Sequence, residues 1–196
     1  MQWKTLFFLL LLGYGAFHTW QKRAVSHPPG LIAPADPVQT PVDHPTFFTY
    51  KHYKIEPLAN FEIEARVLAA EHYHFARFSD LIPVDLALGW GRMSDESVLK
   101  DIKISQSNRF YFWQMDNFII PRQEIETHSA NMHLIPANDM IEKILNKVRV
   151  GQIVKITGYL VEATSNEGAH WRSSLTRNDT GAGACETIFV KSLSVR

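Results

Sequence analysis

The N-terminal segment is the feature that most constrains how this chain folds. An apolar run, TLFFLLLLGYGAF, extends from Thr5 to Phe17 with basic residues on both sides. A charged start followed by a short apolar run is typical of a secretory or anchoring signal. As a helix rising about 1.5 Å per residue, the segment from Thr5 to Trp20 is roughly 24 Å long, slightly under a usual membrane span. We therefore predict an N-terminal hydrophobic helix in residues 1–23, a signal anchor or transmembrane helix, with a cleaved signal peptide as the alternative.

The segment after this helix is rich in proline. Its prolines are Pro28, Pro29, Pro34, Pro37, Pro41 and Pro45. Proline fixes its own φ and pushes the preceding residue into extended geometry, so such a stretch favours a stiff spacer. We predict that residues 24–46 form a tether reaching on the order of 55 Å. Residues 47–196 would then form a single extracytoplasmic domain.

An N-terminal signal of this kind ordinarily leaves its short end in the cytoplasm and exports the rest of the chain. The expected location is therefore the inner membrane, crossed once, with the globular domain in the periplasm. The membrane would be contacted through the N-terminal helix. A buried hydrophobic helix of a cytosolic protein is the competing interpretation, although the apolar run has no polar face.

Charge and cysteine content exclude several classes of protein. Twenty basic side chains balance twenty acidic ones, for a formal net charge of zero. Nucleic-acid binding needs clustered Lys and Arg to neutralise phosphates, so we expect no nucleic-acid partner. The single cysteine, Cys185, rules out an intrachain disulfide and a zinc site built from several thiolates. Stability must then come from an apolar core, and we predict no cofactor.

Hydrophobic periodicity predicts mainly strands with one or two short helices. Strands are expected at 47–53, 61–67, 104–115, 153–161, 171–175 and 187–195. Ser94, Asp95 and Glu96 are typical of the start of a short helix, and a longer helix should begin at Asn138. The fold class predicted is α+β, with mainly antiparallel strands in a small barrel-like or meander sheet. The last three strands would form a meander.

Polar residues alternate with aromatic ones between Ser105 and Trp113. This mixture suits a groove in which aromatic rings stack on a ligand and side-chain amides select which ligand binds. The loop from Ser173 to Glu186 adds hydroxyls, an arginine and glycine amides. A carbohydrate-like or peptide-like ligand, or an envelope protein partner, would fit such a groove. The alternative is that the rings pack in the core and the loop is an ordinary turn. The residues predicted to line the groove are Arg109, Trp113, His128, Asn131, His133 and Arg177.

A cysteine-dependent hydrolase or transpeptidase is the second functional hypothesis. Thiolate chemistry needs a nearby imidazole, and His128 and His133 precede Cys185 in the chain. Arg177 would then support an oxyanion. No motif places an acid or amide to orient the imidazole, and a cysteine between small residues is more often an inert buried thiol.

A metal site is a weaker alternative, and we predict none. His72 and His74 would share one face of an extended segment, and His128, His133 and Glu126 would complete a ligand set. Nothing in the sequence brings these segments together.

Four blocks of the sequence carry a resemblance. They are LALGWGRMSD from Leu86, ISQSNRFYFW from Ile104, SANMHLIPA from Ser129 and the loop that ends at Glu186. Together they resemble a family of uncharacterised bacterial proteins that are exported or membrane-anchored through an N-terminal hydrophobic segment. The resemblance extends from about Tyr53 to the C-terminus. It implies a bacterial source and a single-pass anchor, and it assigns no catalytic residue.

Overall fold

A computed structural model describes residues 3–21, 23–179, 181 and 183–196. Its strands are β1 (Val38–Thr40), β2 (Phe48–Tyr50), β3 (Tyr53–His72), β4 (Val84–Gly89), β5 (Lys103–Ser107), β6 (Phe110–Gln114), β7 (Ser129–Pro136), β8 (Ile153–Ser165), β9 (His170–Arg172) and β10 (Glu186–Val195). Its α-helices are α1 (Trp3–Gln21), α2 (Glu96–Leu99), α3 (Arg122–Thr127) and α4 (Asp139–Leu145), with a 3-10 turn at Gly91–Ser94. The predicted α+β class, mostly antiparallel strands with few short helices, is confirmed.

Five strands pair in a closed cycle, which we call the ring. The long strand β3 pairs antiparallel with both β4 and β8, and β4 pairs antiparallel with β7. The cycle closes through β10, which is parallel to β7 and antiparallel to β8. The last three strands, β8, β9 and β10, were predicted to pair in sequence as a meander. The step from β9 to β10 is wrong, because β10 pairs with β8 and β7 instead of with β9. Turn signals in the sequence are local and carry no information about this long-range parallel pairing.

The inside of the ring is the main apolar core. Alternate residues of each strand point inward, as the two-residue period of a strand requires. Phe61, Ile63 and Ala65 on β3 are each at most 3% exposed and belong to this cluster. Helix α4 packs on it through Ile141 and Leu145.

The predicted helix start at Asn138 is confirmed. The Asn138 side chain accepts a hydrogen bond from the Ile141 amide at 3.0 Å, so it satisfies one of the free donors of the first turn of α4. At the other predicted start, Asp95 accepts from the Ser97 amide at 2.8 Å and caps α2.

The chain between β4 and β7 forms a second layer on the outer face of the ring. It contains α2, β5, β6 and α3, and it packs through a separate apolar cluster that includes Met93, Val98 and Ile125. The single strand predicted at 104–115 is instead a two-stranded hairpin of β5 and β6. Asn108 and Arg109 form its turn with φ of 52° and 69°. Asparagine favours such a turn, but arginine seldom adopts positive φ, which is why the sequence pattern concealed it.

The proline-rich segment lies along the ring, in contrast to the isolated spacer predicted for residues 24–46. The Val25 amide donates to the Val150 carbonyl at 2.8 Å, and β1 pairs with β3. Ala33 is 1% exposed, and its amide donates to Ser94 Oγ at 3.1 Å. Proline removes only its own N–H, so the residues between the prolines keep donors that bind the ring. Gly151, with φ of +87°, allows this close approach, because a Cβ there would overlap the Val25 carbonyl.

Helix α1 carries the N-terminal apolar run. Its side chains from Leu6 to Leu12 are each at least 50% exposed. Among the described residues, no helix combines the length and hydropathy needed to cross a membrane. A role for α1 as a membrane anchor stays a prediction.

Candidate functional site

A cleft of about 480 Å³ lies between β6, α3, the start of β7 and the loop that precedes β10. All of β6 lines it, from Phe110 to Gln114. A neighbouring cavity of about 510 Å³ shares Arg122, Glu126, Thr127 and Arg177 with the cleft. The cleft is thus formed where the second layer meets the ring.

Four of the residues predicted at the site lie together in this cleft. They are Trp113, Asn131, Arg177 and Cys185. They come from three separate parts of the chain, which meet because the hairpin folds back over β7 and the loop crosses from β9 to β10. The other three predicted residues, Arg109, His128 and His133, do not line the cleft.

Arg109 holds the hairpin on the ring instead of facing a ligand. Its Nη1 donates to Asp85 Oδ1 at 2.9 Å and to the Ile82 carbonyl at 3.0 Å. Its guanidinium carbon lies 3.6 Å from the centre of the Tyr73 ring, a cation–π contact. These contacts, with Asp85 fully buried, explain why an arginine is kept at positive φ in the turn.

Asn131 and Tyr111 also fix β6 beside β7. Asn131 Nδ2 donates to the Arg109 carbonyl at 2.9 Å, and Asn131 Oδ1 accepts from Gln106 at 2.5 Å. The Tyr111 hydroxyl hydrogen-bonds to Ser129 Oγ at 3.2 Å, and burial raises the pKa of Tyr111 to about 12. The wall of the cleft formed by β6 is therefore held by polar contacts near the start of the strand.

The two histidines occupy other places. His133 is 2% exposed, and its Nδ1 lies 2.9 Å from Asp85 Oδ1 under the hairpin turn. His128 follows α3, with its Nε2 3.6 Å from Asp36 Oδ1. In the part of the chain that the structure describes, neither imidazole hydrogen-bonds to the Cys185 thiol. The predicted convergence of both histidines on the groove is not observed.

Burial makes Cys185 a poor nucleophile. Removal from water raises the pKa of its thiol to about 11, with neighbouring carboxylates adding to the effect. The Asn131 side-chain amide lies 3.9 Å from the sulfur and is the polar contact of the thiol. A thiol with this pKa is almost wholly protonated at neutral pH, and the thiolate is the reactive form.

The loop places an ion pair in the cleft that sequence reasoning missed. Glu186 is 1% exposed and pairs with Arg177, whose side chain is 21% exposed. Burial raises the pKa of Glu186 to about 7, although Arg177 acts to lower it. Oε2 of Glu186 makes no hydrogen bond within the described residues and is a free acceptor. The two-residue period could have revealed Glu186, because Ile188 and Val190 on the same strand point into the core.

Exposed aromatic rings border the cleft on the side of β6. Phe110 and Phe112 are 43% and 52% exposed, with ring centres 6.4 Å apart. Phe118 is 54% exposed and packs edge-on against Trp113 at 6.2 Å. Apolar rings and charged groups around one cavity make an amphipathic surface, as ligand sites commonly have.

The described residues offer no set of metal ligands. Within residues 3–21, 23–179, 181 and 183–196, no group of three or more His, Cys, Asp or Glu side chains is arranged to hold a metal ion. Glu126, considered above as a ligand, contacts Arg122 Nε at 2.8 Å.

Comparison with known proteins returned no relative. The chain matches no protein-family model, no curated protein and no solved structure.

Proposed function

We propose that this protein is a binding module whose cleft beside β6 takes a partner segment or a small ligand, in the cell envelope. The observation that carries the proposal is the placing of exposed aromatic rings, the Trp113 indole and the Arg177–Glu186 pair around one cavity of about 480 Å³. Rings left exposed at such a position are more consistent with contact to a ligand than with core packing.

The order of the strands supports the same site. In chain order the five ring strands are β3, β4, β7, β8 and β10. Around the ring the order is β3, β4, β7, β10 and β8, so the fifth strand lies between the third and the fourth. We infer a Greek-key barrel of the OB type, in which ligands bind the face of the second and third strands and the loop between the fourth and fifth. The cleft lies against the third strand, β7, and against the loop between β8 and β10. Architecture alone does not identify a ligand, so the ligand class must come from the chemistry of the cleft.

That chemistry favours peptide-like or carbohydrate-like ligands. The net charge is zero, and the cleft carries carboxylates as well as arginines, which disfavours a nucleic acid. The thiol hypothesis has less support, because the Cys185 thiol is held in its protonated form by burial.

The proposed function is tested by NMR mapping with a mixture of tripeptides and short oligosaccharides as probes. We expect the largest shift changes at Trp113, Asn131 and Arg177. Phe112→Ala should weaken the strongest probe by roughly tenfold, the usual effect of losing an important aromatic contact. Phe75→Ala is the matched control, because Phe75 is fully exposed and does not line the cleft. Shift changes centred on another face, or equal affinities for both variants, would refute the proposal.

We propose further that α1 anchors the domain in the inner membrane, with the ring on the periplasmic side. The support is the exposed apolar surface of α1 from Leu6 to Leu12. The test is fractionation of bacterial cells that express the full chain, followed by protease treatment of spheroplasts. We expect the protein in carbonate-washed membranes, cleaved from outside, and expect Leu9→Lys to reduce the membrane fraction. Recovery of the unchanged full chain in the cytosolic fraction would contradict anchoring.

A further inference from the structure

The outer edge of β6 has backbone groups that the hairpin does not use. In the turn, the Phe110 amide faces the Ser107 carbonyl, so these two residues form a hydrogen-bonded pair. Such pairs alternate along an antiparallel ladder, so Tyr111 and Trp113 are in the non-bonded positions relative to β5. Their N–H and C=O groups therefore point away from β5. Within the described residues, these groups make no backbone hydrogen bond outside the hairpin.

The strand that carries this edge lines the cleft. Every residue of β6 lines the cavity, so side chains from both faces of the strand border it, and we take the free edge between these faces to border it too. Arg177 and Asp179, on the loop between β9 and β10, line the same cavity. An extended chain beside β6 would lie roughly 5 Å from it and rise roughly 3.3 Å per residue. Five residues of a guest strand would thus run along the whole of β6.

The sequence of β6 does nothing to protect this edge. Natural edge strands are usually blunted by lysine, proline or bulges, which prevent pairing with another chain. The segment FYFWQ contains no charged residue and no proline, and its pairing with β5 has no register shift. Phe110 and Phe112 are exposed beside the edge and offer apolar contacts to alternate side chains of a guest.

The charges of the cleft indicate which guest fits. Arg122 pairs with Glu126 and Arg177 pairs with Glu186. Asp179, which accepts a hydrogen bond from Ser174 Oγ at 2.6 Å, has no cationic partner within the described part of the chain. The lining thus carries one more carboxylate than guanidinium, and a lysine or arginine of a guest would complement Asp179.

From these observations we infer that the ligand is an extended peptide segment of a partner protein, which adds as a strand to the free edge of β6. The segment places apolar side chains against Phe110 and Phe112 and a basic side chain against Asp179. This inference rests on the proposed binding cleft and names its ligand class. A second copy that paired through its own β6 is a poorer guest, because FYFWQ has no basic side chain to complement Asp179.

The experiment begins with selection of binders from a displayed library of random twelve-residue peptides on the full chain in mild detergent. Selected peptides are then synthesised with a single N-methyl group at each position in turn. N-methylation removes one donor, so it should weaken binding by roughly fivefold or more at alternate residues that face β6 and little at the residues between. This alternation is specific to strand addition and does not depend on which side chains are selected.

A variant of the protein tests the predicted charge preference. Replacing the basic residue of a selected peptide by norleucine should weaken binding to the wild type by roughly threefold to tenfold, and less to Asp179→Asn. Asp116→Asn is the matched control, because Asp116 is exposed and does not line the cleft. Equal losses in the wild type and both variants would overturn the assignment of the basic side chain to Asp179.

The remaining outcomes separate this inference from the proposed function. Peptides that bind at the cleft without alternating sensitivity would overturn strand addition and leave the binding cleft standing. An oligosaccharide that binds there when no peptide is selected would do the same. Peptides whose binding is unchanged by Phe112→Ala would overturn both strand addition and the proposed binding cleft. A dimer seen by sedimentation that dissociates with Phe112→Lys would overturn the partner peptide in favour of a second copy.

Discussion

The variant Glu186→Gln tests the electrostatics of the cleft. Burial raises the pKa of the Glu186 carboxyl from 4.5 to about 7. Because the folded state holds this proton more tightly than the unfolded chain does, the carboxyl contributes stability that is fully present below about pH 4.5. That contribution is lost as the pH rises through about 7. Raising the carboxyl pKa from 4.5 to about 7 corresponds to about 3 kcal/mol.

Glu186→Gln keeps the shape of the side chain and removes the titration. The difference in free energy of unfolding, wild type minus variant, should therefore fall by about 3 kcal/mol between pH 4.5 and pH 8. The fall should be steepest in the middle of this interval, at about 1 kcal/mol per pH unit. All other groups titrate in both proteins, so their contributions cancel in the difference.

The assay is urea unfolding of the full chain in nonionic detergent at intervals of half a pH unit. Glu167→Gln is the matched control, because it makes the same change at an exposed position. If the curve for Glu186→Gln falls no further than the control curve does, burial does not disfavour the charged form of Glu186, and the reasoning is refuted. A rising curve would mean that Arg177 outweighs the cost of burial.

Three further predictions concern the elements that build the cleft. Arg109→Ala should lower the free energy of unfolding by about 3 kcal/mol, because it leaves the Asp85 carboxylate buried without its cation; an unchanged urea midpoint would contradict this. Cys185 should react with iodoacetamide at pH 8 at least about a hundredfold more slowly than free cysteine, since its pKa is about 11; labelling at the free rate would contradict burial of the thiol. Gly151→Ala should be destabilising by about 1–3 kcal/mol more than Gly168→Ala, since both have positive φ but only the first crowds the proline-rich segment; equal effects in thermal unfolding would show that this segment does not lie on the ring.

Local patterns in the sequence predicted the elements better than their arrangement. The alternation in β3 and the capping side chain of Asn138 fixed a strand and a helix, because both depend on neighbouring residues. The parallel pairing of β7 with β10 depends on residues more than fifty positions apart, and no local signal reports it. The proline-rich segment misled for a related reason, since its extended backbone is the same whether it is solvated or paired.

The candidate site could be predicted in part, for physical reasons that differ between residues. Trp113, Asn131 and Arg177 line the cleft, and the sequence suggested them because each lies in a stretch dense in polar and aromatic residues. Arg109 was misplaced because its side chain turns inward to Asp85 from a strained turn, which is a tertiary contact. Glu186 was overlooked, although the alternation along β10 already pointed its side chain inward.

The central claim is that a peptide strand pairs with the free edge of β6. Amide hydrogen exchange of the ¹⁵N-labelled full chain, with and without a selected peptide at saturation, tests it most directly. We expect new protection of the Tyr111 and Trp113 amides, with Phe110 and Phe112 little changed because β5 already binds their amides. Exchange at Tyr111 and Trp113 that stays as fast with bound peptide as without it would contradict the account.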